Sequence, residues 1–94
     1  MESADFSDLR PSPIAGHWYP GKPVDLRAAI EGYFQQASPP QFSGQVVGLI
    51  VPHAGYVYSG LTAAYAFKAT IGVEYARVIL ISPSHKPYSQ PLLT

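Results

Sequence analysis

The sequence predicts an α/β fold, the N-terminal part of a three-layer α/β/α domain with a parallel or mixed sheet. Two apolar runs, residues 46–51 and 77–81, read as strands, and a stretch rich in Ala, Tyr and Phe between them can form a helix. Neither run alternates polar with apolar residues, as expected for strands buried on both faces. Each run breaks at a proline shortly before a histidine, in Val51-Pro52-His53 and in Ser82-Pro83-Ser84-His85. Strand, helix, strand implies parallel strands, so both histidines are expected at the carboxyl ends of one sheet, where open α/β folds place their ligands.

The elements follow in order. Residues 1–13 read as a flexible lead ending in Pro11-Ser12-Pro13, and residues 14–94 as the N-terminal part of a single, incomplete domain. Ile14 to Gly21 is a compact aromatic segment closed by a Pro-Gly turn signal. A first helix is expected over 24–37: Pro23 suits its start, Asp25 complements its dipole, and Leu26, Ile30, Tyr33 and Ala37 recur at helical steps. Ser38-Pro39-Pro40 ends it. After the strand at 46–51, residues 53–60 read as a loop and about 60–70 as a second helix, stopped by Gly72. From His53 to His85 the chain covers about one βαβ unit.

Composition narrows the function classes. Of the 94 residues, 47% are hydrophobic and 13% charged, with six Lys+Arg against six Asp+Glu. That balance gives no electrostatic case for nucleic acid or an anionic membrane. Without cysteine there is neither a disulfide nor a thiolate ligand. No apolar stretch approaches a membrane span, and the acidic N-terminus is the reverse of a signal peptide, so a cytoplasmic location is expected.

The residues themselves leave several readings open. Side-by-side parallel strands would bring the Cα atoms of His53 and His85 to roughly 5–10 Å, close enough for a shared metal or an acid/base pair. The plainer alternative is two loop histidines that hydrogen-bond to backbone. A metal needs a third protein ligand, and no carboxylate falls at an expected strand end. Trp18, Tyr19, Tyr56 and Tyr58 read either as a pocket wall with hydroxyl donors or as ordinary core packing. Phosphate-cradle glycine spacings and a GxSxG elbow are both absent, which disfavours nucleotide binding and serine hydrolysis. His17 reads as a surface residue.

Three segments carry a resemblance: Ala15-Gly16-His17-Trp18-Tyr19-Pro20, then Val51-Pro52-His53-Ala54-Gly55-Tyr56-Val57-Tyr58-Ser59-Gly60, then Ser82-Pro83-Ser84-His85. In order and spacing they resemble the N-terminal signatures of the Memo-like proteins, which include protein B of the AmmeMemoRadiSam system. Members of that family are markedly longer, so the resemblance implies the N-terminal third of such a protein. It also implies the dioxygenase-like fold of class III extradiol dioxygenases, which are non-haem iron enzymes. On this resemblance His53 and His85 match metal-ligand histidines and would be the catalytic residues. Trp18 and Tyr58, with Tyr56 beside them, would line the binding pocket.

The implied cofactor is Fe²⁺, with copper or no metal as alternatives, and the third ligand is expected outside this chain. The implied partners are a small aromatic substrate or a peptide, together with radical-SAM proteins. The competing readings are a non-catalytic peptide- or partner-binding module using the same aromatic cleft, and an inactive truncated fragment.

Overall fold

The computed structural model describes residues 9–85. The first eight residues of the expected lead, and residues 86–94 of the expected domain, lie outside the described residues. The chain divides into two compact units, one comprising Ser12–Val73 and the other Met1–Pro11 with Glu74–Thr94.

The larger unit is built on two helices. Helix α1 spans Pro23–Gln36, within one residue at each end of the expected range. Proline occupies its first turn, where the missing N–H costs nothing, and Asp25 faces the positive end of the dipole. The helix stops at Ala37, whose backbone turns extended ahead of Pro39 while its N–H still reaches the Tyr33 carbonyl at 2.9 Å. A proline disfavours helical conformation in the residue before it, which explains the break.

Helix α2 spans Tyr56–Phe67 and runs on into a single 3₁₀ turn, Lys68–Thr70. It begins four residues before the expected position of 60, so Tyr56 to Ser59 are helical where a loop was expected. Gly55 is the cap: its backbone is extended, and its carbonyl accepts the N–H groups of Tyr58 (2.9 Å) and Ser59 (3.1 Å). Gly72, at φ +84°, ends the segment in the left-handed conformation that glycine adopts without strain.

The two helices pack through small residues. Ala37 and Ala64 are the buried apolar residues among those described. Lys68 reinforces the contact. Its ammonium donates to the carbonyls of Phe34 (2.7 Å) and Ala37 (2.8 Å) at the C-terminus of α1. The last turn of α1 contains no basic residue of its own. A cation reaching over from the second helix therefore satisfies carbonyls that helix geometry leaves unpaired.

The apolar runs 46–51 and 77–81 take no regular structure here. A strand exists through the hydrogen-bond ladder of its partner, and the described residues form no ladder beyond a single bridge between Ala15 and Tyr19. In the larger unit Ile50 is fully exposed, and in the smaller one Ile81 is 92% exposed. The α/β architecture thus stays an expectation. No helix among the described residues is long and apolar enough to cross a membrane.

The Lys68 cap gives a stability prediction. Lys68→Met keeps most of the stem but leaves two part-buried carbonyls without their cation. It should lower unfolding free energy by about 1–2 kcal/mol, measured as a lower midpoint in urea denaturation. Lys68→Arg should recover part of the loss.

Candidate functional site

The site grows from the start of α2. The first turn of any helix leaves N–H groups without intrahelical partners. Here the N–H of Tyr56 donates to the carbonyl of Trp18 at 2.8 Å, so the aromatic segment docks directly on the helix N-terminus. That segment is itself a tight turn, with Trp18 N–H on the Ile14 carbonyl (3.0 Å), Gly16 N–H on the Tyr19 carbonyl (2.8 Å), and Gly16 at φ +86°. Gly55 borders this contact at ordinary packing distance. A side-chain carbon there would lie 3.4 Å from the Trp18 carbonyl oxygen and 3.7 Å from its Cα.

The opposite side of Tyr56 meets α1. The Tyr33 hydroxyl donates to the Tyr56 carbonyl at 3.0 Å, and the two rings meet edge to face with centroids 6.3 Å apart. Tyr19 completes the row, its ring tilted against Tyr56 at 5.5 Å and its hydroxyl bonded to Ser12 Oγ. One turn further along α2, Gly60 lies under the Tyr33 ring. A Cβ at Gly60 would sit 2.7 Å from Tyr33 Cε2 and 2.9 Å from Cζ, closer than packed carbons tolerate.

These contacts frame a largely apolar cavity of about 580 Å³, whose wall includes Trp18, Tyr19, Tyr33, His53, Tyr56 and Phe67. Such a volume falls in the range of small-molecule sites. His53 is exposed, in the turn that leads into α2. Just beyond it, Ser59 Oγ donates to the Ala54 carbonyl at 3.1 Å, which ties the turn to the first helical turn.

Of the residues expected from sequence, Trp18, His53 and Tyr56 share this wall. Tyr58 stands outside it, 86% exposed on α2. His85 belongs to the smaller unit and is exposed. His17 is also exposed, as expected of a surface residue. Among the described residues no group of three or more His, Cys, Asp or Glu could hold a metal ion. Tyr33 was legible only as one apolar-face position of α1. The usable signal was its hydroxyl, which a part-buried tyrosine must satisfy somewhere.

Motif, docked aromatic segment and cavity together define a class, and comparison with known proteins identifies it. The chain belongs to the Memo-like family, whose sequence model, described as Memo-like protein, matches residues 10–94. It is 38% identical over 79 residues to a MEMO1 family protein of Thermoplasma volcanium, covering 84% of this chain and 29% of that one. Protein MEMO1 of Danio rerio is 39% identical over 71 residues, 76% of this chain and 23% of the relative. The memo-1 homolog of Caenorhabditis elegans is 42% identical over 71 residues, 76% of this chain and 20% of the relative. The chain thus spans less than a third of the length of the curated relatives it matches. No solved structure matches it.

The Gly60 contact is directly testable. Gly to Ala within a helix normally stabilises by about 1 kcal/mol. Here Gly60→Ala should instead destabilise, by roughly 1–3 kcal/mol of overpacking. In a Tyr33→Ala background the same substitution should become neutral or stabilising. A double-mutant cycle on unfolding free energies reads the coupling.

Proposed function

We propose that the chain carries the His53 and His85 side of a metal-dependent, oxygenase-related site, set in a three-layer α/β/α domain related to class III extradiol dioxygenases. The observation that carries the proposal is the position of His53, exposed on the wall of a 580 Å³ aromatic-lined cavity and anchored by the motif's own packing. Imidazole suits iron and copper alike, so the donor chemistry of His53 and His85 fits the group as far as it goes. The third ligand falls to residues other than those described. When bound, Fe²⁺ or copper would supply redox chemistry and open coordination positions.

The chain's own residues do the rest. His53 and His85 would hold the ion through imidazole nitrogens. Trp18, Tyr19 and Tyr56 offer ring faces and edges to a small aromatic substrate, for which offset or edge-to-face contact is favoured. The apolar wall keeps water from the buried end of that substrate, and the Tyr56 carbonyl is already engaged by Tyr33. Radical-SAM proteins are the macromolecular partners this reading implies.

The same wall suits a second use. A peptide carrying an aromatic side chain could seat in it without chemistry, and the aromatic lining favours that reading over a polar or charged ligand.

Metal analysis separates the two. The full chain, purified after growth with iron and copper supplied, should retain one of these metals. The His53→Ala/His85→Ala double variant should lose it. Retention of neither metal by the wild type, or equal retention by the variant, would sink the metal reading. For the binding reading, Trp18→Ala should weaken capture of an aromatic peptide at least about tenfold, the weight of a buried aromatic anchor, by fluorescence titration. Unchanged affinity would remove it.

A further inference from the structure

We infer that Tyr33 is a positioning residue for the His53 side of the cavity and that its hydroxyl, beyond its ring, fixes the turn that carries His53. Tyr33 touches α2 at two points one turn apart. Its hydroxyl takes the Tyr56 carbonyl at 3.0 Å, and its ring occupies the space a side chain at Gly60 would fill. Residues four apart lie on one helix face, so the two contacts clamp the first turn of α2 against α1.

Tyr56 is the boundary of the His53 turn. Two residues, Ala54 and Gly55, separate it from His53, and no side chain caps α2 at Gly55. Besides the local bonds of Ser59 to Ala54 and of the Gly55 carbonyl, two bonds on Tyr56 tie the helix start to other segments, from its N–H to Trp18 and to its carbonyl from Tyr33. The Trp18 bond joins two stretches of irregular or terminal backbone. The Tyr33 bond alone refers Tyr56 to the interior of another helix. Removing the hydroxyl leaves the ring on Gly60 in place but leaves the Tyr56 carbonyl held only by the intrahelical N–H of Gly60, which loosens the first turn of α2 against α1 and the turn before it.

Residues that orient a ligand histidine govern metal affinity almost as the ligand does. The consequence for metal binding rests on the proposed function, whereas the consequence for the turn does not. The test is Tyr33→Phe in the full chain, read in three ways. Amide hydrogen exchange at Tyr56, Tyr58 and Ser59 should quicken about fivefold or more, the weight of one lost hydrogen bond. Amides at the far end of α1, Asp25 to Ala29, should not change. The His53 Hε1 resonance, assigned by its loss in His53→Ala, should shift. Titration with Co²⁺, a spectroscopic probe of imidazole ligation, should show affinity roughly tenfold weaker than wild type.

Unchanged exchange at the start of α2 together with an unmoved His53 resonance would overturn the inference. Uniformly faster exchange through both helices would also overturn it, since Tyr33 would then serve the fold at large. A wild type that takes up no Co²⁺ would count against the proposed function alone, because exchange and the His53 resonance still decide the role of Tyr33.

Discussion

Everything described around the cavity depends on the backbone of one residue, Tyr56. Its N–H is taken by Trp18, its carbonyl by Tyr33, and its ring lies against Tyr19 and Tyr33. Three segments distant in sequence meet at it: the aromatic turn, α1, and the motif that opens α2. A helix N-terminus has N–H groups to spare, and a loop carbonyl needs a donor. The pairing therefore settles two needs with one bond and fixes the entry of α2 without a side-chain cap. The site inherits its geometry from that fixed entry, since His53 lies just upstream of it.

The far ends of the helices are joined by a second device of the same kind. Lys68, beyond the end of α2, closes the C-terminus of α1. Tyr33 binds at the start of α2 and Lys68 lies just past its end, so the C-terminal turn of α1 is tied to both ends of its partner by three polar bonds. Between them the contact is made by small residues, with Ala64 buried in α2 and Ala37 at the end of α1. Helix α2 contains no charged residue at all. A helix apolar on every side suits an interior position, which accords with the layered architecture proposed for the domain.

What could be read from the sequence was what local chemistry decides. Helix α1 was legible almost to the residue because proline, aspartate and the apolar spacing all act within its own span. Helix α2 was misplaced at its start because its cap is non-local: the carbonyl meeting Tyr56 belongs to Trp18, and the glycines of the motif suggested a loop. The bonds of Tyr33 and Lys68 have no local signal, their acceptors lying 23 to 34 residues away. Strand pairing is non-local in the same sense. An apolar run such as 46–51 shows fitness for a sheet, but only a partner makes it a strand. His53 stands out in the sequence because Pro52 ends an apolar run just before it.

The motif Val51 to Gly60 can now be read as geometry more than chemistry. His53 carries its one imidazole. Its two glycines differ: Gly60 admits the Tyr33 ring, whereas a Cβ at Gly55 would meet the Trp18 backbone at ordinary contact distance. Tyr56 between them supplies the backbone that both sides hold, and Ser59 ties the turn back to Ala54. Tyr58, on the exposed side of α2, takes no part in this packing. A sequence so constrained by packing has little freedom to vary and little chemistry of its own beyond the imidazole. In the proposed reading, that packing serves to place one histidine at the rim of an aromatic cavity.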